Sequence, residues 1–192
     1  IFDEVVTGFR LGLGGAQELL GITPDLSTFA KAMAGGFPLS MVVGKSEIMN
    51  VIANRSTNHS GTMNTNIVSM AAAEASINKL MENDGAAYKH IHSLGTALME
   101  GLRDRAKKHE INTLIQGTGY SFCMAFTDVP EIVDFRSHMK HTDAEMYQKF
   151  RIGMLERGVR VTPRGMWYIS TAHTEQDVEA VLKAADETLS TL

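Results

Sequence analysis

The sequence predicts an α/β chain divided near residue 84. Three observations point there. Short apolar runs in the first part end in acidic or glycine-rich segments. An alanine-rich helical stretch is closed by Asn83-Asp84-Gly85, and the remainder alternates helical and strand patterns on a smaller scale.

In chain order, residues 1 to 6 read as the end of a buried strand, Ile1-Phe2-Asp3-Glu4-Val5-Val6, with carboxylates where the strand runs out. In open parallel sheets ligands bind beyond the carboxyl ends of strands, so Asp3 is placed to reach one. Solvated carboxylates in a strand-end turn fit the same residues. A nucleotide-hydrolysis pair is a third reading, but no G-x-x-x-x-G-K-[ST] loop accompanies it. Gly8, Gly12, Gly14 and Gly15 supply turns around Arg10 without the spacing of a dinucleotide fingerprint. Ala16 to Leu20 is expected to form a short helix stopped by Gly21, and Pro24-Asp25 turns the chain toward Lys31.

Lys31 stands between Phe29-Ala30 and Ala32-Met33-Ala34-Gly35-Gly36. One reading buries it, and a lysine in apolar surroundings loses the solvation that favours its charged form, leaving a nucleophilic amine. The other leaves it on the surface of a short amphipathic helix. Leu39 to Val43 reads as another buried strand and Lys45 to Ala53 as a helix. The loop His59-Ser60-Gly61-Thr62 precedes a long helix from Asn64 to Leu80. Its hydroxyls and backbone N–H groups suit either a phosphate or a helix cap.

Beyond Gly85, residues 86 to 108 show a charged amphipathic helical pattern. Ile111 to Ile115 and Ser121 to Phe126 read as strands around Gly117-Thr118-Gly119. A helix through Glu145 to Glu156, short strands at Val159 to Val161 and Trp167 to Ser170, and a last helix follow. Thr174 and Asp177 stand at capping-box spacing before that helix.

Composition narrows the function classes. Hydrophobic residues at 44% and charged residues at 21% are those of an ordinary globular protein. A net charge of -4, from 18 basic and 22 acidic side chains without a basic block, argues against nucleic acid as a partner. No apolar run of about 18 residues predicts a membrane span. The single cysteine, Cys123, rules out an internal disulfide framework and suits a reducing compartment, so a cytoplasmic location is expected. His138, His141 and Glu145 could share a helix face, yet they lack any thiolate cluster or H-E-x-x-H pattern and are read as surface residues. His173 and Cys123 are isolated candidates for a base and a nucleophile.

Taken together, Ile1 through Arg10, Gly14-Gly15-Ala16-Gln17, and Thr23-Pro24-Asp25-Leu26-Ser27-Thr28-Phe29-Ala30-Lys31 resemble the class III aminotransferases, which use pyridoxal 5'-phosphate (PLP). His59 through Asn64, Gly158 through Gly165, and Ser170 through Glu175 extend the likeness over nearly the whole chain. The branch resembled holds glutamate-1-semialdehyde aminomutase and β-amino-acid aminotransferases. The resemblance implies a type I PLP-transferase fold, with residues 1–84 as the C-terminal part of the PLP-binding large domain and residues 85–192 as the small C-terminal domain.

By matching position, Lys31 would bind the cofactor aldehyde as an imine and later move the substrate proton, Asp3 would hold the protonated pyridine nitrogen, and Val5 would pack on the ring. Thr62 would contact the phosphate, commonly that of the neighbouring subunit, so a homodimer with shared active sites is implied. The aminomutase pattern Phe-Glu-Ala-Gly-Phe is replaced here by Pro163-Arg164-Gly165-Met166-Trp167. An arginine can pair bidentately with a substrate carboxylate. The expected reaction is therefore transfer of an amino group between a carboxylate-bearing amine, such as a β-amino acid, and a keto acid. The alternatives are an aminomutase and, if the polypeptide is truly this short, a noncatalytic fragment or interaction module. Asn64-Thr65-Asn66 departs from the Ser-Gly-Asn-Pro of many members. The family's phosphate-binding loop and ring-stacking aromatic residue would lie upstream of Ile1, so the chain is expected to be part of a longer protein.

Overall fold

Alternation along two short strands organises the start of the chain. In the computed structural model, which describes residues 1–192, Phe2–Glu4 (β1) pairs in parallel with Leu26–Phe29 (β2), Asp3 opposite Thr28 and Glu4 opposite Phe29. Successive strand residues face opposite sides. Glu4, Ser27 and Phe29 are accordingly buried, while Asp3 is exposed and Thr28 half-buried. Between the strands, Gly15–Leu20 (α1) is a short helix closed by left-handed Gly21, as the glycine spacing predicts. Met41–Gly44 (β3) adds antiparallel to β2, giving the order β1-β2-β3, and Ser46–Ala53 (α2) follows.

Three expectations are corrected in this part. The buried strand expected at Leu39 to Val43 is the edge strand β3, with Val42 43% and Val43 39% exposed. The strand expected over residues 1 to 6 ends at Glu4, and Val5 and Val6 enter a turn closed by Gly8 N–H to Glu4 C=O at 2.9 Å. The long helix begins at Ile67, not Asn64, because the Asn66 side chain accepts the Ser69 N–H at 3.1 Å and caps it there.

Helix α3, Ile67–Lys108, is broken at Glu82–Gly85, where Asn83, Asp84 and Gly85 take φ of 50°, 55° and 68°. Asn, Asp and Gly are the residues that enter this left-handed region at least cost. The chain divides into two units, Ile1–Tyr88 and Lys89–Leu192.

The second unit is a three-stranded antiparallel sheet with helices. Thr113–Thr118 (β4) and Ser121–Phe126 (β5) form a hairpin around Gly119-Tyr120, and Met166–Tyr168 (β6) pairs with β5 on its other side. Phe135–His141 (α4), Ala144–Glu156 (α5) and Glu175–Leu189 (α6) complete it. Helical spacing selects the core residues: Leu94, Leu98, Leu102 and Ala106 on α3, Tyr147, Phe150 and Met154 on α5, and Val178, Leu182, Ala185 and Leu189 on α6. Phe122, Met124 and Phe126 alternate inward from β5. Gly95 and Gly119 let α3 touch the hairpin turn, since a Cβ on Gly95 would stand 1.7 Å from the Gly119 carbonyl oxygen.

Two further readings are revised here. Val159 to Val161 forms no strand, although Val161 is buried. The strand expected at Trp167 to Ser170 is shorter, starting one residue earlier at Met166 and ending at Tyr168. Thr174 and Asp177 do form the expected capping box, with Thr174 Oγ1 accepting the Asp177 N–H at 3.3 Å and Asp177 Oδ2 accepting the Thr174 N–H at 2.8 Å.

Candidate active site

The two residues singled out near the N-terminus sit at the carboxyl ends of adjacent parallel strands. Asp3 is in β1, on the open face it shares with Thr28. Its Oδ1 accepts the Val5 N–H at 3.0 Å and the Thr28 hydroxyl at 3.5 Å, and Oδ2 takes no part in either bond. Lys31 begins a 3₁₀ turn, Lys31–Ala34, directly after β2.

Of the two readings of Lys31, buried and surface, the structure gives the surface one. The side chains buried in that turn are Met33 and Ala34, and Lys31 is exposed. The reason is local: the turn inserts Met33 and Ala34 inward, and Lys31 at its head takes φ of 45°. A non-glycine residue in this left-handed region carries backbone strain, which persists only where the surroundings enforce it. Here left-handed Gly35 closes the turn, its N–H bonded to Ala32 C=O at 3.3 Å.

Glu4, adjacent to Asp3, was not singled out for a separate role by sequence reasoning. Its carboxylate is fully buried, with 0% exposure. Oε2 accepts the Ala16 N–H at 2.9 Å and the Thr7 hydroxyl, while Oε1 accepts the Gln17 N–H at 2.9 Å. Burial pushes the carboxyl upward, but these bonds to the charged form outweigh it and hold Glu4 below its ordinary value. Its signal in the sequence was strand parity, which sends neighbouring carboxylates to opposite faces.

Val5 is half-buried in the turn after β1. Thr62 lies exposed in a turn ahead of α3. Asn66 supplies the side-chain cap of α3, so Thr62 does not serve as that cap. Arg164 lies exposed before β6 in the second unit. The chain on either side of it is pinned: Gln148 Nε2 donates to Pro163 C=O at 3.1 Å, and Met124 N–H donates to Gly165 C=O at 2.9 Å. A cleft of about 50 Å³ beside Arg164 is lined also by His138, Thr142, Tyr147 and Gln148.

The other nucleophile and metal candidates do not assemble. Burial pushes the Cys123 thiol up, opposite to the activation a nucleophilic cysteine needs. His173 Nδ1 accepts the Ser170 N–H at 3.0 Å and serves the local turn. His141 ends α4 and Glu145 belongs to α5, which starts afresh from the Asp143 cap, so the expected shared face is interrupted. No three His, Cys, Asp or Glu side chains converge as a metal-binding group. No helix is long and apolar enough to cross a membrane.

Comparison with known proteins gives this geometry a context. A family profile described as aminotransferase class-III matches residues 1–184. The chain is 39% identical over 195 aligned positions to a glutamate-1-semialdehyde 2,1-aminomutase of Akkermansia muciniphila, covering 100% of the chain and 45% of that protein. Among solved structures, the PLP internal aldimine form of the FumI protein of Sphingopyxis sp. MTA144 superposes with a TM-score of 0.83 at 28% identity. That match covers 98% of this chain and 42% of the other. A β-phenylalanine aminotransferase of Variovorax paradoxus gives a TM-score of 0.82 at 28% identity, covering 97% of this chain and 43% of the other. The α/β fold is thus part of the fold of these PLP enzymes, and the chain spans less than half the length of each.

Proposed function

Because the chain belongs to the class III aminotransferase family, we propose that it carries the lysine and the pyridine-nitrogen partner of a PLP site that transfers an amino group to or from a carboxylate-bearing amine. The observation that supports this most is that Asp3, near the carboxyl end of β1, and Lys31, directly after the parallel neighbour β2, stand at the same edge of the sheet, with the Asp3 carboxylate on the open face. The donor set fits the cofactor: a primary amine for its aldehyde carbon, and an exposed carboxylate with one oxygen outside the local hydrogen bonds for its ring N–H.

When bound, PLP supplies an electron-withdrawing ring that accepts the electron pair left by deprotonation of the substrate carbon. Lys31 Nζ would hold the cofactor through its aldehyde carbon and, when free, would be the base that accepts and returns the substrate proton. Asp3 would hold the ring N–H through a charge-assisted hydrogen bond. Val5 would pack against the ring. Thr62 would donate its hydroxyl to the phosphate of the neighbouring subunit in a homodimer, and the Arg164 guanidinium would pair with the substrate carboxylate. A β-amino acid is the donor class this assigns, with a keto acid as acceptor.

A second reading, a glutamate-1-semialdehyde-type aminomutase, is favoured by the 39% identity to the Akkermansia muciniphila protein. The discriminating experiment uses the full polypeptide reconstituted with PLP. Borohydride reduction followed by peptide mass mapping is expected to place the cofactor on Lys31, and its absence from an active holoenzyme rejects the site. Turnover that requires both a donor and a keto acceptor identifies a transaminase, whereas isomerisation of a single substrate identifies the mutase. Arg164→Ala is expected to raise KM for carboxylate donors selectively, and equal effects on neutral amines reject that contact.

A further inference from the structure

The carboxylate next to the proposed pyridine partner is held more firmly than any contact of the partner itself. Glu4 accepts N–H bonds from Ala16 and Gln17, each at 2.9 Å, with the Gln17 side-chain amide at 3.5 Å and the Thr7 hydroxyl also on it. Its backbone is gripped as well, through Gly8 N–H to Glu4 C=O at 2.9 Å. Gly15, at φ of 66°, makes room for this arrangement, because a Cβ there would fall 2.6 Å from Glu4 Oε2. A fully buried carboxylate persists only when such bonds replace its lost hydration. They fasten the end of β1 to the first turn of α1 through a side chain, independently of the sheet ladder.

We propose that Glu4 is a positioning residue that acts through Asp3, the clamp on Glu4 fixing the strand end so that the Asp3 carboxylate projects from the opposite face toward the ring nitrogen. The inference rests on the assignment of Asp3 under the proposed function. Adjacent strand residues point to opposite sides. A rotation of Glu4 therefore rotates Asp3 and breaks its bond to the Val5 N–H, a contact two residues away on the same strand end. Sequence alone pairs the two carboxylates as one acidic feature, whereas the structure divides them into an inward anchor and an outward ligand.

The test is a double-mutant cycle in the full polypeptide, with PLP retention read by visible absorbance and the Val5 amide read by NMR in the apoprotein. Glu4→Gln keeps the shape but replaces one acceptor with a donor facing an N–H. It is expected to weaken PLP retention about tenfold when Asp3 is present and to add nothing in the Asp3→Asn background, the signature of action through one partner. The Val5 amide, bonded to Asp3 Oδ1 at 3.0 Å in the native protein, should shift in Glu4→Gln toward its position in Asp3→Asn. Equal loss of PLP in both backgrounds, or an unchanged Val5 amide resonance in Glu4→Gln, overturns the proposal. Should Glu4→Gln fail to fold, Thr7→Val removes a single donor from the same carboxylate and is judged by the same two readouts. If the native polypeptide retains no PLP, the functional reading fails, and the Val5 amide alone decides the role of Glu4.

Discussion

The two units bury their apolar residues very differently. The second holds a contiguous core of 21 buried residues drawn from β4 to β6, from helices α3, α5 and α6, and from the segments flanking β6 at Val161 and Ile169. The first buries few large side chains, among them Phe29, Met33 and Tyr88, and encloses polar Glu4, Ser27 and Ser69. It also leaves Val42, Val43, Met63, Ile67, Val68 and Met70 exposed. Yet the first unit carries both Asp3 and Lys31. The candidate residues thus stand in the unit with fewer large buried side chains, where specific hydrogen bonds such as those on Glu4 order the strand end, while the second unit is held by packing.

Mutations should break the units in correspondingly different ways. The largest effect is expected from Lys31→Ala, which removes the amine proposed to move the proton. Steady-state assays should show activity falling by at least about 10²-fold, while thermal unfolding of the apoprotein stays unchanged because Lys31 is exposed. A large drop in stability would show that the strained turn depends on the lysine side chain.

In the second unit, Phe150 is fully buried, its ring centroid 5.7 Å from that of Phe126. Phe150→Ala should cost about 3–5 kcal/mol in denaturant unfolding. A cost near that of a surface substitution would mean the unit is less dependent on packing than its core implies.

Acid should separate the units by a different route. The carboxyl of Glu4 lies below its ordinary value of 4.5 in the folded chain, so its contribution is fully present above that pH and is lost as pH falls through the lower folded value. The protection of amides in residues 1 to 30, taken relative to the intrinsic exchange rate at each pH and followed downward from pH 5, should fall in the native chain, and Glu4→Gln should flatten that dependence. The smallest effect is expected at Thr174→Ala, which removes one half of the α6 capping box and should cost about 1 kcal/mol, measured by the same denaturant titration as Phe150→Ala.

Several features were legible in the sequence because their causes are local. The α1 stop at Gly21, the helix break at Asn83-Asp84-Gly85 and the Thr174 cap each follow from the backbone freedom or side-chain reach of residues a few positions apart. The core face of α6 is a matter of period. Less was legible where a neighbour in space decides the outcome. Val42 and Val43 look like buried strand residues but lie on an edge strand. The apolar neighbours of Lys31 leave burial and exposure both open, and the choice falls to Met33 and Ala34, which take the inward positions. His141 and Glu145 are four apart, but the Asp143 cap starts a new helix between them.

By itself the sequence determined the α/β class, the resemblance to class III aminotransferases and the identity of the two candidate residues, Asp3 and Lys31. These are properties of residue type, order and local period. Only the tertiary structure decided that Asp3 faces out while Glu4 faces in, and that Glu4 is tied to α1. Strand parity separates the two carboxylates, but which face is buried depends on Ala16, Gln17 and Phe29, which chain folding brings to that side.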